Sequence, residues 1–140
     1  MSKIDPKLAR LKASNTFAHL GDRRLKALAP FTDDVDVAAG TTLMEEGSLP
    51  HELEVLVSGT ADVLVGGKKV GELGPGDVIG EMALLNRTKR SATVVTTSPA
   101  RLIVISSRAF AGLVEKFPEV AEDLRNMADA RARRNSESSD

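Results

Sequence analysis

Apolar side chains alternate with other residues through the middle of the chain. Leu53, Val55 and Val57 recur at every second position, as do Ala61, Val63 and Val65, and Val70 and Leu73 follow. A period of two marks β-strands with a buried face. Glycine punctuates these runs: nine of the 11 glycines fall between Gly40 and Gly80. Short strands divided by glycine turns predict compact antiparallel structure. Gly66-Gly67, between Asp62–Val65 and Lys68–Gly71, reads as a tight hairpin. The β pattern returns in Ser91–Thr96 and Arg101–Ile105.

The ends follow helical spacing. Asp5 to Ala13 carries Leu8 and Leu11, with Asp5 as N-cap and Pro6 at the first helical position. Gly21 to Ala29 sets Leu25 and Leu28 on one face, and Pro30 is expected to stop the run. Ser107 to Lys116 spaces Phe110, Leu113 and Val114 for a helix. After Pro118, Glu119 to about Arg134 continues with Val120, Leu124 and Met127. Asn135 to Asp140 is polar and is expected to be a disordered tail. The order is short helices, an eight-strand β unit interrupted near residue 81, then two helices. At 140 residues, with no internal repeat, this is one domain.

Composition narrows the function classes. Nineteen Lys and Arg against 20 Asp and Glu leave a net charge of −1, which gives no electrostatic footprint for nucleic acid. The chain has no Trp, no Tyr and four Phe, too few aromatics for a base-stacking platform. With no cysteine there is no disulfide, thiolate metal site or Cys nucleophile. No apolar run approaches a spanning helix and Met1–Asp5 is no signal peptide, so a cytoplasmic protein without membrane insertion is expected.

Chemistry concentrates between Gly74 and Val94. Gly80 precedes Glu81-Met82-Ala83-Leu84, one helical turn by propensity, and Arg90 and Ser91 follow nine and ten residues after Glu81. Backbone N–H groups, a guanidinium and a hydroxyl together suit a phosphate. A neighbouring carboxylate suits a ribose hydroxyl. The alternative is an ordinary surface pair beside a turn at Gly74-Pro75-Gly76-Asp77. Neither a dinucleotide fingerprint nor a Walker loop is present. His19 and His51 have no carboxylate spacing that suggests a metal site or a triad, and read as surface or loop residues. Asp33-Asp34 and Glu45-Glu46 read as solvated turn charges.

Gly80-Glu81-Met82-Ala83-Leu84 followed by Arg90-Ser91-Ala92-Thr93-Val94 resembles the phosphate-binding cassette of cyclic nucleotide-binding domains. These occur in catabolite activator proteins, kinase A regulatory subunits and cyclic-nucleotide-gated channels. Gly40, Glu46-Gly47, Leu56-Val57-Ser58-Gly59 and Gly76-Asp77 extend the likeness, which covers roughly residues 16 to 134. The resemblance implies a mainly β fold: an eight-stranded antiparallel β-roll, jelly-roll-like, with N-terminal helices and two C-terminal helices. Residues 1–134 would then be a single domain, with helices over 1–30, the roll over 31–106, the cassette at 80–93, C-terminal helices over 107–134 and the tail at 135–140.

The same resemblance assigns roles. Glu81 would accept the ribose 2′-hydroxyl, and Arg90 would bind the cyclic phosphate. Gly80, Met82, Ala83, Ser91 and Ala92 would add backbone or hydroxyl contacts. Val63, Val78 and Ile79 are expected, by pattern, to wall the base. Pro118 to Arg134 is similar to the closing helix of a bacterial potassium-channel ligand domain, where the position of Arg131 covers the purine and Met127 lies one turn before it. The implied ligand is cAMP rather than cGMP, bound reversibly without chemistry or a catalytic cofactor. The output would pass to an effector protein or through self-association. The rival reading is a β-roll scaffold that no longer binds nucleotide.

Overall fold

Eight strands form two four-stranded antiparallel sheets, and register decides which residues look into the space between them. The computed structural model describes residues 6–14 and 17–126. Helix α1 (Pro6–Ala13) leads through a 3-10 turn at Phe17–Leu20 into α2 (Asp22–Leu28). The strands are β1 (Thr32–Val37), β2 (Thr42–Met44), β3 (Glu52–Ser58), β4 (Ala61–Val65), β5 (Lys68–Leu73), β6 (Val78–Ile79), β7 (Thr93–Thr96) and β8 (Ala100–Ser106). Helix α3 (Glu81–Asn86) interrupts them, and α4 (Ser107–Lys116) follows. Residues 119–126 are helical. The sheet orders are β1-β8-β3-β6 and β2-β7-β4-β5. This is the expected eight-stranded roll.

Within the first sheet, β3 is buried on both faces over Leu53–Leu56. Leu53 and Val55 of β3, with Ile103 and Ile105 of β8, pack against Phe17, Leu25 and Leu28, and against Phe110, Val120 and Leu124. Burying each such side chain contributes about 1.5–3 kcal/mol. The alternate positions Leu56, Ile79 and Leu102 face the second sheet and meet Ala61, Leu73 and Val94. Gly66 and Gly67 sit at φ 58° and 80° between the paired Val65 and Lys68, the double positive φ that a two-residue hairpin requires. Ser106 caps α4 by accepting a hydrogen bond from the Ala109 N–H at 3.1 Å.

The α-helical run ends at Leu28, before Pro30 as expected, and Ala29–Phe31 follows as a separate 3-10 turn with Pro30 in its first positions. One detail departs from the sequence reading. Asp33 and Asp34 do not lie in a turn but in β1, opposite Val104 and Ile103 of β8. Both are exposed, and Asp34 pairs with Arg10. An edge strand with acidic outward positions resists pairing with another chain. Among the described residues no helix is long and apolar enough to cross a membrane.

Candidate functional site

The turn Gly74-Pro75-Gly76-Asp77 feeds β6, whose two residues end at Gly80. The Asp77 carboxylate accepts a hydrogen bond from the Gly74 N–H at 2.8 Å and closes the turn. Gly80 takes φ 87° and starts α3. A Cβ there would lie 2.3 Å from Nη1 of Arg90, so glycine, which also suits this positive φ, leaves the guanidinium in its present place. Arg87 ends α3 with φ 55°, and the Thr88 N–H donates to the Ala83 carbonyl at 3.0 Å. The chain then runs back beside the turn after β2. The Arg90 N–H donates to the Ser48 carbonyl, and the Gly47 N–H donates to the Arg90 carbonyl, both at 2.8 Å. Pinned on its backbone, Arg90 turns its side chain inward.

There the guanidinium is buried. Its Nη1 donates to the Gly80 carbonyl at 2.7 Å and its Nη2 to the Glu52 carbonyl. Burial works against its charge, while Glu54, Glu52 and Glu81 hold the charge in place. Glu81, at the first position of α3, is buried as well. The arginine and the carboxylate singled out from sequence thus meet in one place.

They share a cleft of about 160 Å³. Gly80, Glu81, Met82 and Ala83 form one side and Arg90, Ser91 and Ala92 another, with Val63, Val78 and Ile79 supplying apolar wall. Ten of the 12 residues singled out from sequence therefore line it. The other two, Met127 and Arg131, lie outside the described residues. Met44, Leu73 and Val94 also line the cleft and were not foreseen. Met44 and Val63 both pair with Val94 across β2, β7 and β4, so the floor is a cross-strand row visible only once the register is known. His51 is exposed at the start of β3; the side chain of His19 lies outside the description. Glu46 accepts a hydrogen bond from the Gly66 N–H at 2.9 Å, tying its turn to the hairpin. Among the described residues no cluster of His, Cys, Asp and Glu could hold a metal ion.

Glu54 is the titratable residue that sequence reasoning missed. The alternation of Leu53, Val55 and Val57 by itself would send it to water, but β3 is covered on both faces. Glu54 is 4% exposed. Burial first, and then the Glu52 carboxylate, push its carboxyl up to about 7, against the pull of Arg90. The sign of the pH effect on folding follows. The unfolded chain loses this proton in the ordinary carboxylate range, whereas the folded chain keeps it to near neutrality. Stability from this group is present at low pH and declines as pH rises between those two values, by up to about 3 kcal/mol. Glu54→Gln is expected to flatten that decline and to be more stable than the parent above pH 8. Urea denaturation at mildly acidic and mildly alkaline pH measures both.

Comparison with known proteins bears on the family and the fold. The sequence family described as the cyclic nucleotide-binding domain matches residues 34–117. The Pycsar effector protein XpPycTIR of Xanthomonas perforans is 35% identical over 87 residues, 61% of this chain and 29% of that protein. The cAMP-dependent protein kinase regulatory subunit of Mucor circinelloides f. lusitanicus is 34% identical over 86 residues, 61% of this chain and 20% of that protein. The chain spans less than a third of these curated relatives. The regulatory domain of Toxoplasma gondii PKA, co-crystallised with cAMP, superposes with a TM-score of 0.73 at 28% identity, covering 91% of this chain and 51% of that one. With a match over most of the roll and the α3–Arg90 cleft in place, the chain belongs to the family of cyclic nucleotide-binding regulatory domains.

Proposed function

We propose that the α3–Arg90 cleft binds cAMP in preference to cGMP, and that the C-terminal helix closes on the bound nucleotide and relays the change to a partner. The observation that carries this reading is the convergence of Arg90, Glu81 and Gly80 on one cleft with an apolar floor. A guanidinium offers five N–H donors in a planar fork, which suits two phosphate oxygens. Its present partners are two backbone carbonyls. A phosphate brings full negative charge and therefore makes the stronger hydrogen bonds. Glu81, in the same cleft, is the proposed acceptor for a ribose hydroxyl, and Val63, Val78 and Ile79 are the proposed apolar surface for the base. No step needs a bond broken in the ligand.

Helix α3 is also linked to the C-terminal helix. Nη2 of Arg125 donates to the Leu85 carbonyl at 3.3 Å, joining residues 119–126 to the cassette. A ligand that draws on α3 therefore acts on a direct contact of that helix, and stabilising one arrangement over another is a population shift. Met127 and Arg131 belong to this proposal as the residues covering the base.

Truncation before Ala128 is expected to weaken cAMP binding by about 0.5–2 kcal/mol, the value of a guanidinium on an aromatic face. The loss should appear mainly as faster dissociation. Stopped-flow displacement of a fluorescent cAMP measures it, and an unchanged rate would remove the helix from the lid role. Base choice is tested by titrating cAMP, cGMP and the pyrimidine cyclic nucleotides side by side. A modest cAMP preference is expected, with Ser91→Thr moving it toward cGMP; stronger binding of cGMP by the parent refutes the assignment.

A further inference from the structure

Glu54 stands behind the cleft and not on its wall. It lies opposite Ile79 of β6 and Val104 of β8, and both of those pack in the space between the sheets. Directly paired residues of antiparallel strands share a face, so the Glu54 carboxyl points into that space, beneath the cassette. Its Oε2 is buried without a hydrogen-bond partner among the described residues. The charged groups that act on it are Glu52 on its own strand and Arg90 from the segment before β7; Glu81 of α3 faces the same guanidinium. One buried positive charge is thus set among three carboxylates.

An anionic ligand group on Arg90 changes this balance. It takes up the field of the guanidinium and adds negative charge nearby. A carboxylate fixed in a strand and covered on both sides has no route to water, and its remaining way to lower the cost is to hold a proton. We propose that Glu54 takes up a proton when the cyclic phosphate docks on Arg90, so that nucleotide affinity rises as pH falls through neutrality. The coupling rests on the reading of the cleft as a cyclic nucleotide phosphate site. Burial already places the carboxyl at about 7, with Arg90 the one influence holding it down. A phosphate that occupies Arg90 weakens that influence, so the bound-state value is the higher of the two. Affinity is then complete below the free-state value and declines above it.

The test is isothermal titration calorimetry of the full chain with cAMP, cGMP and the pyrimidine cyclic nucleotides. It is run across mildly acidic to mildly alkaline pH, in pairs of buffers with different ionisation heats. The parent is expected to lose affinity between pH 6 and pH 8, by up to about tenfold, and to take up protons on binding above neutrality, at most one per nucleotide. Glu54→Gln should bind with an affinity independent of pH and take up no proton. His51→Asn removes the exposed imidazole three residues earlier on the chain and should keep the parent profile. Nucleotide binding at one affinity throughout, with no proton taken up, overturns the coupling and leaves the site standing. The parent profile persisting in Glu54→Gln, or vanishing in His51→Asn, overturns it equally. Failure of every cyclic nucleotide to bind at any pH overturns the site and the coupling together. Should Glu54→Gln not fold, the proton count of the parent and the His51→Asn profile decide.

Discussion

Arg90→Ala is expected to weaken cyclic nucleotide binding by about 3–5 kcal/mol, the largest effect of any single change in the cleft. The phosphate would lose its counter-charge at the point where water is most excluded. The free protein should respond as well. Arg90 bridges the carbonyls of Gly80 and Glu52, and its charge supports Glu81 and Glu54. Its removal leaves two buried carboxyls without that support, so the melting temperature should fall even with no ligand. Arg90→Lys separates the two effects. A lysine restores the charge but not the planar fork, so it should recover more stability than affinity. Calorimetric titration beside thermal melting of both variants gives the comparison. Binding by Arg90→Ala at the parent's strength would mean that the phosphate docks elsewhere.

Glu81→Ala should cost less, about 1.5–3 kcal/mol, because the lost interaction is a hydrogen bond between a carboxylate and a ribose hydroxyl. Its mark is specificity more than size. The parent should discriminate cAMP from its 2′-deoxy analogue, and Glu81→Ala should bind the two alike. A variant that keeps the parent's discrimination would remove Glu81 from ribose recognition. Gly80 limits how far either group can be moved. The Nη1 of Arg90 lies 2.3 Å from where a Cβ of residue 80 would be, so the turn at Gly80 is built around the guanidinium.

Local patterns in the sequence foretold the elements whose determinants are local. Gly66-Gly67 marked its hairpin, and Ser107–Lys116 marked α4 to the residue, because a turn dipeptide and a helical apolar stripe act over a few positions. The ten-residue interval from Gly80 to Arg90 marked the cleft, since a family resemblance carried what spacing alone left open. What escaped was set by pairing across the sheets. Val94 lies beside Met44 and Val63 only through the registers of β7 with β2 and β4. Glu54 is interior because its face of β3 looks into the space between the two sheets, while helices cover the opposite face, where Leu53 and Val55 lie. Asp33-Asp34 carry a turn-like composition, yet β8 draws them into an edge strand.

Thermal melting of the full chain with cAMP and with linear AMP at equal concentration tests the central claim most directly, namely that the cleft between α3 and Arg90 holds a cyclic nucleotide. A ligand bound only by the folded state adds RT ln(1 + [L]/Kd), about 2.7 kcal/mol at one hundred times Kd. For a chain of this size that corresponds to a rise of about 10 °C in Tm. Linear AMP carries an extra phosphate charge and a freed 3′-hydroxyl that the compact cassette does not accommodate. The account predicts a rise with cAMP and none with linear AMP; a melting curve unchanged at millimolar cAMP would contradict it.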